Sequence, residues 1–381
     1  MKQRKQHRIA ISAVFFLYGL CFASWASRIP DFQQKFALGE AALGNLLFAL
    51  PIGSLLAIPL AGYLVHVFGS RRVVVYAGLF YGLVLATLGW LDSVYLLFGA
   101  LLLFGMGGNL INIALNTQAI AVEDMYQRSI MNAFHGLWSL AGFFGAGLGA
   151  LMIAYDFLPE THYLLVLALV LLILIFSKSR LIQDQNERQE SGKAFGKPDG
   201  LIIKVGLVAF CGMLCEGCMF DWSGVYFKDV IRAQPGLVAL GYVSFMAAMA
   251  SGRFIADKVA NRIGKYNMLR LSGTLICAGL LISVLLPSLV PAIIGFLLVG
   301  VGTAAVVPLS FSIAGRSQTL APSVALAMVS SISFFGFLLG PPLIGYIASW
   351  LDLKASFAIV AGVGAMIAVL VTLSKKELKA L

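Results

Sequence analysis

The stretch Cys215-Glu-Gly-Cys-Met-Phe-Asp-Trp-Ser-Gly224 places two carboxylates, Glu216 and Asp221, inside an apolar run that covers residues 201–227. About 20 apolar residues cross the ~30 Å hydrocarbon core of a bilayer as a helix, so this run is long enough to span a membrane. An ionisable side chain at that depth costs at least ~2.5–3.5 kcal/mol, and it normally faces a cavity, a partner or a pathway. The two carboxylates are therefore the first candidates for functional residues.

The whole chain has the composition of a protein that crosses the membrane many times. Of its 381 residues, 60% are hydrophobic and only 12% are charged, and the mean hydropathy is +0.92. A soluble core could not bury so much apolar surface. The apolar runs are too long for the ~10-residue alternating strands of an outer-membrane barrel, so they indicate helices with internal backbone hydrogen bonds. The predicted fold class is an all-α membrane protein with 12 transmembrane helices.

These spans also predict the orientation of the chain. Their approximate bounds are 9–27, 42–65, 73–91, 94–118, 130–154, 162–177, 201–227, 237–257, 268–286, 291–314, 324–349 and 355–373. Only five of the 27 Lys and Arg residues then lie on one side, namely Arg28, Lys35, Lys228, Arg232 and Lys354. By the positive-inside rule the other side is cytoplasmic, so we expect a bacterial inner-membrane protein with both termini in the cytoplasm.

Charge, cysteines and motifs exclude several classes of protein. The net charge of +10 follows from the loop asymmetry that sets the topology, so it does not indicate nucleic acid. Cys215 and Cys218 have C-x-x-C spacing but no second pair or nearby histidine, which favours a structural role over metal or redox chemistry. No H-E-x-x-H, G-x-S-x-G or phosphate-binding loop is present, which disfavours an enzyme or an ATP-driven pump. We expect no cofactor or metal, and as partners a small-molecule substrate, protons and the lipid bilayer around a monomer.

The two halves of the chain repeat one another. Gly19-Leu-Cys-Phe-Ala-Ser-Trp25 aligns with Glu216-Gly-Cys-Met-Phe-Asp-Trp222 at a constant offset of 222 − 25 = 197, and the same offset aligns Leu43-Gly44 with Leu240-Gly241. The longest polar segment separates the two halves. We therefore predict two pseudo-symmetric six-helix bundles, a duplication typical of secondary transporters. Their bounds are 1–177 and 201–381, joined by a cytoplasmic linker at 178–200.

Span four carries a row of amides. Asn109, Asn112 and Asn116 stand at i, i+3 and i+7, so they share one helix face. Each amide offers both donors and an acceptor, which suits a ligand rich in hydroxyl groups. The alternative is hydrogen bonding between helices, worth only ~0.6 kcal/mol per contact in membranes. The row predicts part of a substrate site.

Aromatic and polar residues on other spans extend the predicted site. On span five, Asn132 and His135 lie on one face beside Trp138, and a histidine that titrates near neutrality can transfer protons. It is equally often a hydrogen-bonded core residue. Trp25 and Trp222 occupy equivalent repeat positions, where their rings could stack on the C–H surface of a sugar or lie in an interfacial aromatic belt.

The two carboxylates of span seven have separate predicted roles. Five helical steps turn Asp221 about 140° away from Glu216, so the two are not expected to form a close dyad. We expect Glu216 to carry a coupled proton, with a permanently bonded cap for backbone or for Arg28 as the alternative. Asp221 is expected to contribute to proton coupling and, paired with Arg28 across the halves, to an outer gate.

One loop signature carries a family resemblance. Gly62-Tyr-Leu-Val-His-Val-Phe-Gly-Ser-Arg-Arg72 resembles the glycine, acid, glycine and basic-pair loop of the major facilitator superfamily, although His66 stands where the acid is usual. The run from Gly252 to Gly264 is similar to the second copy of that loop. The resemblance implies gating roles for Arg71, Arg253 and Asp257.

Other runs are similar to one bacterial branch of this superfamily, the fucose-permease-like and rhizopine-transport-type inner-membrane proteins. They include Trp25-Ala-Ser-Arg-Ile-Pro30, Asn112-Ile-Ala-Leu-Asn-Thr-Gln118 and His135-Gly-Leu-Trp-Ser139, and the resemblance covers nearly the whole chain. An aspartate is common in the branch where Asn112 stands. The resemblance implies secondary transport of a small polar solute such as a sugar or cyclitol by alternating access, coupled to protons. A proton-driven efflux carrier for amphipathic compounds, which the 27 phenylalanines would suit, and a non-transporting receptor remain as alternatives.

Overall fold

Apolar helices fill nearly all of the chain that the structure describes. The structure is a computed structural model, and it describes residues 2–126, 130–183, 200–314 and 322–375. No strand occurs in these ranges. Twelve helical segments are long and apolar enough to cross a membrane, which confirms the number of predicted spans. The first two of these segments are each broken into two helices. The first break falls at the predicted end of span one, and the second, inside span two, was not predicted.

The described helices form two compact units. Unit 1 contains the described residues of Met1–Ala37 and Leu46–Gln189, and unit 2 those of Leu38–Asn45 and Glu190–Leu381. The first half of the chain forms helices α1 (Lys2–Ala26), α2 (Ile29–Lys35), α3 (Glu40–Leu47), α4 (Ala49–Phe68), α5 (Ser70–Leu88), α6 (Val94–Tyr126), α7 (Met131–Ala154) and α8 (Pro159–Lys178). The second half forms α9 (Gly200–Asp229), a 3₁₀ turn (Pro235–Leu237), α10 (Leu240–Ile263), α11 (Lys265–Leu285), α12 (Leu289–Ala314), α13 (Pro322–Trp350) and α14 (Leu353–Leu373).

The same helix pairings recur in the two units. In unit 1, α1 packs on α7, α4 on α6, and α5 on α8; in unit 2, α9 packs on α13, α10 on α12, and α11 on α14. This correspondence is what a duplicated sequence requires, and it confirms the two pseudo-symmetric six-helix bundles. The linker predicted at 178–200 lies mostly outside the described residues.

Glycines let helix backbones meet where α4 crosses α6. A Cβ added to Gly53 would clash with the Leu102 carbonyl, and one added to Gly105 would clash with the Leu50 carbonyl. The equivalent crossing of α10 and α12 uses Gly300, where a Cβ would clash with the Phe245 carbonyl. Small residues at such crossings allow the close packing on which helix association in membranes depends.

A glycine turn joins the helices of each predicted loop signature. Gly69 has φ 80° and ψ 150°, and Gly264 has φ 82° and ψ 152°, a region that only glycine enters readily. Each donates its N–H to the carbonyl four residues earlier, Val65 at 2.9 Å and Ala260 at 2.8 Å. Glycine at these two positions of the signature is therefore explained by backbone geometry.

The chain after α8 is fastened to unit 1 by one amide side chain. Gln118, which is buried in α6, donates to the Ile182 carbonyl at 2.8 Å and accepts from the Ile182 N–H at 2.8 Å. It also donates to the Ser70 hydroxyl at 2.6 Å, at the start of α5. One side chain thus links three segments at this end of the unit.

Candidate functional site

A largely buried ion pair joins α9 to α10 in unit 2. Arg253 of α10 donates from Nη2 to Oε1 of Glu216 on α9 at 3.1 Å. The two side chains are only 19% and 8% exposed, respectively. Among the residues that the structure describes, the hydrogen-bond partner of Glu216 is therefore Arg253 of the same unit. Arg253, which the loop resemblance placed in gating, contacts the predicted proton carrier directly.

Asp221 follows on the same helix in a different environment. It is 7% exposed and forms no hydrogen bond or ion pair with another described residue. Next to it in sequence, the ring of Phe220 lies 6.2 Å from that of Tyr242 and 5.6 Å from that of Phe245. The Tyr242 hydroxyl is buried without a partner among the described residues. Asp221 is thus a buried ionisable group on α9 without a hydrogen-bonding partner among the described residues.

Arg28 belongs to a polar network within unit 1. Its guanidinium donates to Asp31 at 2.7 Å, to the Phe157 carbonyl at 2.7 Å and to Nδ1 of His162 at a longer 3.4 Å. The helix break after Ala26 starts α2 close to Arg28, which brings Asp31 within reach at i+3. Within unit 1 the bonds of Arg28 are thus made to Asp31, Phe157 and His162, and the pairing of Arg28 with Asp221 as an outer gate stays a prediction.

His162, which no sequence pattern predicted as a functional residue, is a further member of this network. The residue is fully buried in the first turn of α8, and its Nδ1 accepts from Arg28, so that nitrogen carries no proton. The only signal was a histidine beside Pro159 and Glu160, at the start of an otherwise apolar span.

The amide row on α6 is divided between two uses. Asn109 donates to the Ser54 carbonyl of α4 at 2.6 Å, which is the interhelical bond that was the alternative to ligand binding. Asn116 donates to the Asn112 carbonyl oxygen at 3.0 Å, so these two amides do share a face. All three side chains are half-buried. Asn112 and Asn116 therefore keep hydrogen-bonding capacity at a partly open surface.

Aromatic rings surround the predicted residues of α7. His135 is exposed and its ring meets that of Phe15 edge-on at 5.4 Å, while the half-buried Trp138 lies 6.0 Å from Tyr18. Tyr18 also contacts Tyr81 at 5.8 Å, and neither tyrosine was predicted because isolated tyrosines are frequent in membrane helices. The side chain of Asn132 lies outside the described residues.

The two repeat-equivalent tryptophans are core residues. Trp25 is 1% exposed and Trp222 is 0% exposed, and neither indole N–H has a partner among the described residues. Their burial argues against the interfacial belt. Stacking on a solute stays a prediction, and it would require the rings to become exposed.

The remaining predicted gating residues lie near helix ends. Arg71 donates from Nε to the Lys178 carbonyl at 2.9 Å, which satisfies an open carbonyl at the end of α8. The side chain of Asp257 lies outside the described residues.

Within the described ranges, no group of three or more His, Cys, Asp or Glu residues could hold a metal ion.

The described residues form two units with the same helix pairings, and together they contain twelve candidate membrane spans with charged groups inside them. These features are typical of multi-pass membrane transporters. More specifically, the chain belongs to the major facilitator superfamily, because the model of that family matches residues 11–322. This is a family of transporters rather than enzymes, whose members bind small-molecule substrates and are usually monomeric.

Full-length relatives and solved structures agree with this assignment. An uncharacterized MFS-type transporter of Yersinia pestis is 35% identical and covers 93% of this chain and 92% of its own. The membrane protein MosC of Rhizobium meliloti is 30% identical, with coverages of 94% and 88%. Among solved structures, a mutant form of the nucleoside transporter NupG has a TM-score of 0.77 at 14% identity, covering 97% and 99%. A D-xylose-proton symporter has a TM-score of 0.75 at 14% identity, covering 96% and 97%. At these identities the two structures show the shared fold.

Proposed function

We propose that the protein is a secondary active transporter that moves a small polar solute, a sugar, cyclitol or similar compound, across the bacterial inner membrane. Transport proceeds by alternating access and is coupled to protons. Both termini lie in the cytoplasm, in keeping with the basic residues on that side of the spans. Membership of a transporter family supports the general class, and the arrangement of charged and polar side chains supports the finer statement.

The buried pair of Glu216 and Arg253 is the observation that carries proton coupling. In a buried ion pair each charge compensates the other, so loss of one charge leaves the remaining charge buried and uncompensated. Protonation of Glu216 therefore weakens its contact with Arg253 and changes how α9 packs against α10. Proton occupancy is in this way linked to the conformation of unit 2. Asp221, buried on the same helix, is the second carboxylate that can take up a proton.

The polar and aromatic surface of unit 1 supports a hydroxylated solute. Asn112 and Asn116 supply amide donors and acceptors at a half-buried face of α6. The half-buried ring of Tyr18 supplies an aromatic face, and it rests on the ring of Tyr81, which is buried against α6 at Gly108. Amides for hydroxyl groups and ring faces for C–H surfaces are the combination that a sugar or cyclitol requires.

The solute class is tested by ligand-induced stabilisation of the purified protein. The panel contains hexoses, deoxyhexoses, inositols, amino sugars and cationic amphipathic dyes. A solute that binds the folded state at 100 times its Kd stabilises it by about 2.7 kcal/mol, which is visible as a raised melting temperature. Stabilisation by hydroxylated compounds that is lost in Asn112→Ala supports the proposal. Stabilisation by amphipathic dyes alone would favour the efflux carrier instead.

Coupling is tested by solute uptake into proteoliposomes with an imposed pH gradient. Glu216→Gln should bind the solute and exchange it between the two sides, yet fail to accumulate it against its gradient. The matched control is Asp92→Asn, which removes an exposed carboxylate that pairs with Lys35 at 2.8 Å, and it should accumulate solute normally. Undiminished pH-driven accumulation by Glu216→Gln would exclude Glu216 as the proton carrier.

A further inference from the structure

An apolar groove runs between α4 and α5 in unit 1. Its volume is about 250 Å³, below the ~300–1,000 Å³ of sites for drug-sized ligands. Val73, Ala77 and Leu110 form a buried floor, and Phe68 and Tyr76 stand at the sides with 50% and 69% exposure. The groove thus offers a narrow carbon-lined slot rather than a polar cavity.

One end of the groove carries positive charge. Arg72 lines the groove and is exposed, and its neighbour Arg71 contacts the carbonyl of Lys178, whose side chain is exposed. We call these three residues the basic rim. The sequence from Gly62 to Tyr76, which supplies most of the groove, contains no acidic residue. The rim therefore favours an anion beside an apolar slot.

The position of the groove limits what can fill it. Its lining comes from three candidate membrane spans, and its exposed sides consist of apolar and aromatic side chains, which in a bilayer contact hydrocarbon. The basic rim lies where α4 gives way to α5, at the end of the span. Basic pockets between membrane helices on the cytoplasmic side bind anionic lipid headgroups. An acyl chain fits the slot, and a phosphate fits the rim.

We propose that this groove is a binding site for one anionic phospholipid, with an acyl chain between α4 and α5 and its phosphate on Arg72. The site is separate from the ion pair of unit 2 and from the amide row, and it does not depend on which solute the protein carries. The lipid holds the start of α5 against α4, so its occupancy stabilises unit 1.

The test is a lipid titration of the full chain in detergent, followed by the melting temperature. The probes are phosphatidylglycerol, phosphatidylcholine with the same acyl chains, and glycerol phosphate, which has the charge without the chains. Phosphatidylglycerol should stabilise the protein at lower concentration than the other two. Arg72→Gln should weaken its apparent affinity about fivefold, the effect of one basic residue near a lipid surface. Arg72→Lys should retain most of the affinity because the charge remains.

The matched control is Arg270→Gln, which removes an exposed arginine near the start of α11, the equivalent helix of unit 2. It should leave the phosphatidylglycerol titration unchanged. Equal weakening by both variants would mean that the lipid responds to net charge alone, and the proposed site would be abandoned. The same follows if phosphatidylcholine or glycerol phosphate stabilises as well as phosphatidylglycerol. Size-exclusion profiles identical to that of the unchanged protein show that Arg72→Gln is folded.

Discussion

The run Gly19–Trp25 in α1 and its repeat Glu216–Trp222 in α9 occupy equivalent positions in the two units but make different contacts. Both end in a buried tryptophan, and both lie in the helix that packs on α7 or its equivalent α13. Of the five positions at which they differ, the first has the clearest structural consequence. A Cβ on Gly19 would clash with the Trp138 carbonyl of α7, whereas the side chain at the equivalent position, Glu216, forms an ion pair with Arg253 of α10.

The difference shows where a duplicated fold can accommodate chemistry. In unit 1 the position is filled by a contact between helix backbones, which leaves no room for a side chain. In unit 2 the approach of α9 and α13 is made by other glycines, since a Cβ on Gly336 would clash with the Phe210 carbonyl. Glu216 is thereby left free to point toward α10. The close helix contact thus involves the repeat position itself in unit 1, at Gly19, but a different position in unit 2, at Gly336, which leaves room for the Glu216 side chain.

Breaking the ion pair should give the largest effect on stability. Arg253→Gln removes the charge that compensates Glu216 and should destabilise the protein by about 3–5 kcal/mol, the usual cost of losing one partner of a buried pair. The double variant Glu216→Gln with Arg253→Gln should recover part of that loss, because no buried charge remains. Melting temperatures of the single and double variants, read as a double-mutant cycle, measure the coupling. Simple additivity of the two single changes would show that the pair contributes nothing to folding.

A methyl group at the equivalent position of unit 1 should cost less. Gly19→Ala places a Cβ against the Trp138 carbonyl and should destabilise by about 2–3 kcal/mol, as overpacking does. Gly147→Ala in α7 is the matched control, because a Cβ there meets no atom within 4 Å. It should be neutral or slightly stabilising, since alanine favours helix over glycine. If both substitutions lower the melting temperature equally, the backbone contact at Gly19 is not the cause.

The two glycine turns should respond alike, and with the smallest effect of the three. Gly69→Ala and Gly264→Ala each force an L residue into the positive-φ region and should cost about 1–2 kcal/mol. The Cβ at Gly264 would meet no neighbour, so its cost is purely that of backbone conformation. Comparable shifts in melting temperature would show that the two equivalent turns contribute equally to stability as well as sharing a backbone conformation. A neutral Gly264→Ala would contradict this account.

Much of the fold could be predicted from the sequence, because hydropathy is a local pattern and the 197-residue repeat is visible when the sequence is aligned with itself. The twelve spans and the correspondence of the units follow from them. The break before Ala49 was not predicted, because apolar sequence continues through it, whereas the break after Ala26 coincides with the predicted end of the first span at residue 27. Helix ends were also misjudged: α6 continues to Tyr126, well past the predicted limit of 118.

The candidate site was predicted only in part. Glu216 and Arg253 were both singled out, but their pairing depends on how α9 is rotated relative to α10, which no pattern within either helix specifies. Arg28 was noticed for its charge, while two of its partners, Phe157 and His162, lie 129 and 134 residues further along the chain. The amide row shows the opposite case. Its shared face follows from helical spacing, and the bond between Asn112 and Asn116 agrees with it.

The glycine crossing of α4 and α6 has a mechanical consequence. Where backbone touches backbone, no side chain can change rotamer to absorb a displacement, so the two helices are stiff with respect to each other. Any motion of unit 1 should carry both as one piece. Backbone hydrogen exchange at Gly53 and Gly105 should accordingly be slow.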